Sequence, residues 1–370
     1  MRLCVGRERR GHRRLRPTTC YVVGLAGLLA AFVAQARPTV AAPVWPTGFG
    51  EPITIRCETI DRFRKNSNET RFGALTFLGG LQFSSSDGRV HGISALRLTD
   101  DGSAFLGVTD NGNWLAGEIL RGQGGRPIGF AEATVAPLRD RLGGAIRGKA
   151  LGDAESLAID PTGRTAYVGF EQRHRISAYD LRHPGTGKAL DVPLPMPVRE
   201  LRANKGLEAL AIAPAHSALA GSLVTVSEHS IDEDGNLFAG IVGKNGGRGS
   251  VFKVRRYAKW EVSDGDFLPG GDLLLLERRF EGLFGGLGIR IRKIAADAIR
   301  AGALVDGPVV FEADLSDEID NMEGLDVWQD DRGRTRLTLV SDDNASFFQR
   351  NLLLEFVWSE DGPAASIIGQ

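Results

Sequence analysis

Cysteine is almost missing from this chain of 370 residues. Of its three cysteines, Cys4 and Cys20 fall in an N-terminal segment that reads as removable, which leaves Cys57 alone and excludes an internal disulfide framework. Histidine is nearly as sparse. Only His91 and His229 fall at strand ends, while His174, His183 and His216 read as loop residues and His12 lies in the leader. No His/Cys spacing therefore suits zinc or another transition metal. There is no Gly-x-Ser-x-Gly elbow, so a serine hydrolase has no support. The glycine-rich run Gly243–Gly249 lacks Walker spacing and reads as a loop. Lysines are few and dispersed, with no cluster that forms a phosphate pocket. The longest apolar run, Cys20 to Val33, is about 14 residues, short of a membrane span.

That run has the organisation of an export signal. Seven arginines precede it, and Ala34-Gln35-Ala36 offers a small-x-small cleavage site, so residues 1–36 read as a signal peptide. Arg13-Arg14 leaves both the general and the twin-arginine route open. Residues 37–50 are rich in Pro, Gly and Ala and read as a spacer, and 51–370 as the folded domain. Removing seven arginines and one glutamate leaves 38 basic against 45 acidic residues, a net charge of −7. The mature chain is thus expected in the periplasm or secreted, with no general attraction to nucleic acid or to an anionic membrane surface.

Glycine is abundant, at 48 residues, and spread along the chain as many tight turns require. The segment from Asp153 to Glu171 reads as acid, short apolar strand, Pro-Thr-Gly turn, second strand, acid. Weakened copies start near residues 92, 155, 208, 266 and 323, spaced 53 to 63 apart. Further strands are expected at Trp114–Leu120, Arg175–Tyr179, Ser250–Val254, Ile289–Ile294 and Leu352–Trp358, each followed by a more variable segment except the last. About four strands per repeat of about 55 residues is the pattern of an all-β propeller. Five hairpins give five blades, or six if residues 51–83 form a degenerate one. The strands before Gly92 are expected to complete the last blade and close the ring. Ala295–Leu304 has the spacing of a short helix. A pair of β-sandwiches would explain the strands, but not the regular return of acids.

An antiparallel hairpin brings the start of its first strand beside the end of its second. Glu155 is therefore expected beside Glu171, Glu208 beside Glu228, Asp266 beside Glu277, Glu323 beside Asp342, and Ser94 or His91 beside Asp110. If these strands are innermost, the acids converge on one mouth of the channel. Like charges so close raise one another's pKa unless something neutralises them. A hard divalent cation, calcium above all, takes six to eight oxygen ligands and needs neither Cys nor His. Arg278, Arg279, Arg173 and Arg175 are the candidate protein cations. The plainer alternative is that the acids cap turns and bond to backbone N–H groups.

Several pieces follow one another in a particular order: Gly92-Ile-Ser-Ala-Leu with Val108-Thr-Asp-Asn-Gly112, Asp153-Ala-Glu-Ser-Leu with Glu171, and Asn204-Lys-Gly-Leu-Glu with Glu228. Leu273-Leu-Leu-Leu-Glu-Arg278, Asp320-Asn-Met-Glu-Gly-Leu325 and Ser341-Asp-Asp-Asn344 complete the series. In these the chain resembles the exported bacterial proteins called phytase-like, or "esterase-like activity of phytase", over roughly residues 70–358. The resemblance implies a propeller, export, and cleavage of esters or phosphoesters of a small-molecule substrate. On this reading Glu155, Glu208 and Glu323 are metal ligands or bases, and Asp110, Glu171, Glu228, Glu277 and Asp342 complete the metal set. Arg278 stabilises developing negative charge. Two alternatives stay open at this point. One is a calcium-dependent propeller lactonase, to which Asn111, Asn204, Asn321 and Asn344 are suited. The other is a non-catalytic periplasmic binding protein with an acidic mouth.

Overall fold

The computed structural model describes residues 48–282, 286–346 and 348–360. The expected signal peptide and most of the spacer lie outside them. Five antiparallel sheets follow one another along the chain, and the innermost strands touch in sequence and return to the first. The fold is a five-bladed β-propeller.

Blade 1 holds Ile93–Leu98, Ala104–Thr109, Asn113–Arg121 and Pro127–Pro137, with Glu51–Pro52 on its outer edge. Blade 2 holds Ala154–Ile159, Thr165–Phe170, Arg175–Asp180 and Leu190–Val192. Blade 3 runs Leu207–Ile212, Leu223–Ile231, Leu237–Ile241 and Ser250–Val254, and blade 4 runs Glu261–Phe267, Leu273–Phe280, Leu287–Ile294 and Val309–Asp314. In blade 5, Met322–Gln329, Thr335–Ser341 and Asn351–Trp358 come from the C-terminal end of the fold. Leu75–Ser85 and Ile55–Ile60 come from its beginning. Leu75 pairs with Trp358 and Phe83 with Asn351, so the early chain is stitched to the late chain along a whole strand. Residues 51–83 thus build no sixth blade.

Inner strands are buried on both faces, because each blade packs its apolar side chains against two neighbours. The described residues form five apolar clusters, one at each blade interface. Between blades 1 and 2, Trp114 is fully buried and meets Tyr179 edge-on at 5.3 Å. Between blades 4 and 5, Phe63 packs on Phe72, Phe77, Phe311 and Phe356, locking the early chain into the closure.

Three expectations change. The third strand of blade 3 is Leu237–Ile241, and Ser250–Val254 is the fourth. The second strand there continues past Glu228 and turns at Asp232, whose carboxylate accepts from the Asp234 and Asn236 N–H groups. Ala295–Leu304 forms a single 3-10 turn, Ala296–Ala298, instead of a helix. Its backbone is committed to the neighbouring blade: the N–H of Lys253 donates to the Ala303 carbonyl and that of Gly302 to the Val251 carbonyl. Gly302 adopts φ +75, which a continuing helix forbids. Finally, the blade 4 hairpin begins at Glu261 rather than at Asp264, which moves the pairing of its acids.

Candidate functional site

Every innermost strand carries a one-residue bulge at the same place, near its start. The extra residue is Ser94, Glu155, Glu208, Ser263 and Glu323 in blades 1 to 5. A bulge leaves its residue unpaired and re-aims the side chain. The residue two before each bulge faces the end of the second strand. These pairs are Gly92 with Asp110, Asp153 with Glu171, Gly206 with Glu228, Glu261 with Arg278, and Asn321 with Asp342. One mouth of the channel is therefore ringed by nine carboxylates, one amide and one guanidinium.

The expected pairings of Glu155, Glu208 and Glu323 hold; Asp110 instead faces Gly92, with His91 bonded to Asp343 and Ser94 to the Gly92 carbonyl, and Asp266 does not meet Glu277. Asp266 sits opposite Leu274, toward the other end of its strand, and accepts hydrogen bonds from Val327 N and Phe267 N. Glu277 faces away from the channel and is bound by Arg290 and Arg292 within the blade. The return position of blade 4 belongs to Arg278. Arg175 lies outside the ring, stacked on Phe170 at 3.6 Å and donating to the Leu151 carbonyl. Arg279 reaches outward to Glu281.

Protein cations serve part of the ring only. Arg278 donates to Asn321 Oδ1 at 2.7 Å, to Glu228 Oε1 at 3.2 Å, and to Glu323. Lys205 Nζ donates to Glu228 at 2.9 Å and Glu261 at 3.1 Å, and His229 Nδ1 lies 2.6 Å from Glu261. Lys149 Nζ donates to Asp110 at 2.7 Å and stands 3.5 Å from Asp153 Oδ1. Asp342 accepts from the Gly92 and Ile93 N–H groups, joining blade 5 to blade 1. In blades 2 and 3, Glu171 accepts from Gly206 N–H, and no described Lys, Arg or His hydrogen-bonds to Glu155, Glu171 or Glu208. Carboxylate oxygens of Asp153, Glu155 and Glu171 lie within 4.8 Å of one another, as do those of Glu171, Glu208 and Glu228. Asp153 is 1% exposed, yet its Oδ1 has no hydrogen-bond partner.

Protonation follows this division. Burial, then the Asp153 carboxyl beside it, pushes Glu155 well above the usual carboxylate range. Burial and the charges of Glu155 and Glu228 do the same to Glu208. Burial pushes Glu171 up to about 6 and Asp342 up to about 6. Glu323 is pushed up to about 7 by burial, even against the attraction of Arg278. At Glu261, burial is outweighed by the His229 and Lys205 bonds, which hold it down at about 2.

Asp153, Glu261, Lys149 and Lys205 have no role in the expectations from sequence, and Asn321 has one only in the lactonase alternative. Asp153 and Asn321 had a usable signal, since each stands two residues before a bulged glutamate. Glu261 had none, because Asp264 and Asp266 drew attention further along its strand. Asn204 bonds Gln172 at 2.6 Å beside the ring.

A five-bladed propeller with one mouth ringed by carboxylates, and that ring broken by a single guanidinium, is the class that fold and site define. The chain belongs to the phytase-like family, described as esterase-like activity of phytase, whose model matches residues 88–345. No curated protein matches it in sequence. Among solved structures, the α-L-arabinanase of Cellvibrio cellulosa is similar at 11% identity and TM-score 0.42, covering 74% of this chain and 94% of that one. The endo-arabinase of Bacteroides thetaiotaomicron is similar at 11% identity and TM-score 0.42, covering 82% and 99%. Hydrazine synthase of Kuenenia stuttgartiensis is similar at 12% identity and TM-score 0.36, and this chain spans 60% of its length. No helix among the described residues is long and apolar enough to cross a membrane.

Proposed function

We propose that this chain is an exported hydrolase that cleaves esters or phosphoesters of small molecules at the acidic mouth, with a divalent cation as cofactor. The supporting observation is the uneven neutralisation of the ring. Glu228, Glu261 and Glu323 accept hydrogen bonds from protein cations, whereas Glu155, Glu171 and Glu208 have none and Asp153 has only Lys149 at 3.5 Å, its buried Oδ1 without a hydrogen bond. An all-oxygen, multiply anionic donor set of this kind fits a hard cation such as calcium. Asp153, Glu155, Glu171 and Glu208 would hold it, with Glu228 and Asp110 at the margin. When bound, such an ion polarises the substrate oxygen and makes a bound water more acidic.

The remaining chemistry falls to the chain's own residues. Arg278 faces the site with a fork of donors and is fixed by Asn321, Glu228 and Glu323, which suits it to the negative charge that grows on a carbonyl or phosphoryl oxygen. Glu323, with its pKa pushed up to about 7, is poised to exchange a proton near neutral pH. It takes the proton of the attacking water as the new bond to carbon or phosphorus forms. It returns that proton to the departing alcohol oxygen as the old ester bond breaks.

Calorimetric titration of calcium into the chelator-treated protein, with parallel hydrolysis assays on an aryl ester, a phosphomonoester and a lactone, tests the reading. Binding that is lost in the double variant Glu155→Gln, Glu208→Gln, with hydrolysis that follows it, is the expected result. A wild-type chain that neither binds calcium nor hydrolyses any of the three overturns it. Ring opening of the lactone alone would select the lactonase reading. N-terminal sequencing of the exported protein is expected to begin at Arg37.

A further inference from the structure

Blades 4 and 5 carry longer loops at the mouth than blades 1 and 2. Between their second and third strands, blade 1 turns within residues 110–112 and blade 2 within 171–174, whereas blade 4 takes 281–286 and blade 5 takes 342–350. The described residues of these loops, with Leu315, Ile319, Asp320 and Asn321, line a cavity of about 900 Å³ beside the ring. Arg278, Asn321 and Glu323 stand at its inner end, so the cavity opens directly onto the residues assigned to the chemistry.

Its outer wall is apolar. Phe280, Leu287, Leu315, Ile319 and Phe348 line it, and three of these are strongly exposed: Phe280 at 70%, Leu315 at 52% and Phe348 at 96%. Three large apolar side chains held open around one concavity mark a binding surface, since scattered exposure carries no such convergence. The charged lining is spent or of the wrong sign for a polyanion. Lys259 is paired with Glu281 at 2.5 Å, Arg278 with Glu228 and Glu323, and the lining acids Glu261 and Asp320 with Lys205 and Arg350. A polyphosphate entering here would meet carboxylates and no free cation among the described lining.

We propose that the cavity is the acyl-side subsite of the hydrolase, and that the substrate is a neutral carboxylic ester with a bulky apolar or aromatic acyl group. This rests on the hydrolase reading above and narrows it. The acyl group lies against Phe280 and Phe348, and the ester carbonyl is presented to Arg278. Phosphate esters of high charge are excluded by the same walls.

The test is a series of p-nitrophenyl esters (acetate, butyrate and octanoate) with p-nitrophenyl phosphate and inositol hexakisphosphate alongside, all assayed with calcium. Wild type, Phe348→Ala and Phe280→Ala are compared. Both phenylalanines are exposed, so their removal leaves the core intact. The expected result is kcat/KM rising with chain length, and a loss of about tenfold on octanoate in either variant, carried by KM, with a smaller loss on acetate. Octanamide, which resembles the octanoyl ester but turns over far more slowly, gives a binding readout by calorimetry, and its Kd should weaken by a similar factor in Phe348→Ala. Turnover of acetate with no preference for longer chains overturns the subsite while sparing the hydrolase. So does preferential hydrolysis of inositol hexakisphosphate. Octanamide binding that depends on Phe348, without hydrolysis of any ester, removes the hydrolase reading and leaves the apolar subsite standing.

Discussion

The metal-free protein should lose stability as pH rises from about 5 to 8, the reverse of ordinary acid denaturation. Glu323 begins from an ordinary value of 4.5 and is pushed up to about 7 in the fold. Across that interval the unfolded chain has released its proton while the native state still holds it, so stability declines as pH rises. The decline starts near the unfolded pKa, ends near the folded one, and amounts to about 3 kcal/mol for this group alone. Glu171 and Asp342, each pushed up to about 6, act in the same direction. Each charge that forms at the mouth hinders the next. Asp266, across the channel, is also pushed up to about 6 and adds a slope that no ion at the mouth removes. The diagnostic quantity is therefore a difference. Urea unfolding at pH 5, 6, 7 and 8 should be followed in chelator and in millimolar calcium. The chelator series should fall more steeply than the calcium series, because calcium held by Glu155, Glu171 and Glu208 removes their share of the slope. Glu323→Gln, which mimics the protonated acid, should remove about 3 kcal/mol of the fall in both series. Below pH 4.5 the sign reverses: Glu261 is held down at about 2, so its contribution is present above its unfolded pKa and is lost on acidification. Equal slopes with and without calcium, and no change in Glu323→Gln, would refute the assignment of uncompensated carboxyls to this mouth.

Three other substitutions or truncations have definite expected outcomes. Arg278→Gln leaves Glu323 without its cation and Glu228 with Lys205 alone, so turnover should fall by about 100- to 1,000-fold, with substrate binding less affected. Size-exclusion and circular dichroism should show a folded protein. A chain starting at Gly88 lacks Leu75–Ser85 and Ile55–Ile60, exposes the edge Asn351–Trp358, and should fail to give a cooperative unfolding transition. Leu339→Ala, at a fully buried site between blades 4 and 5, should cost about 2–5 kcal/mol in urea denaturation without altering calcium affinity.

What the sequence exposed was whatever repeats. Short apolar strands, glycine turns and acids at both ends of a hairpin recur at similar spacing, and an antiparallel hairpin fixes which ends meet. That reasoning located Glu155 beside Glu171 and Glu323 beside Asp342 and anticipated closure by the early chain. It failed where one blade departs from the others. In blade 4 the acids Asp264 and Asp266 resemble the start of a hairpin but are spent on backbone N–H groups of blade 5 and on Arg97. The true start, Glu261, follows a loop and has no apolar run before it. Register depends on one bulged residue, and a bulge leaves no mark in composition. Partner choice was equally hidden. Lys205, Lys149 and His229 come from connecting segments or strand ends with no repeating neighbour, and their targets exist only once the ring is closed.

The departure in blade 4 also indicates where the ring does its work. Four blades place a carboxylate at the return position, and the fourth in the chain places Arg278 there, between Glu228 and Glu323. Were the acids present only to tie blades together, as Asp342 does through Gly92 and Ile93, a fifth acid would serve equally well. A guanidinium instead divides the mouth in two. On one side, in blades 2 and 3, Glu155, Glu171 and Glu208 lack protein cations and require protons or an added ion. On the other, in blades 4 and 5, Glu261 and Glu323 have protein cations, and a cavity with an apolar outer wall opens beside them. A substrate spanning the boundary would have its apolar part in the cavity, its polar bond beside Arg278 and Glu323, and the uncompensated carboxyls just beyond. Repetition built the ring, and on the proposed reading the single break in it would set the direction from which a substrate enters.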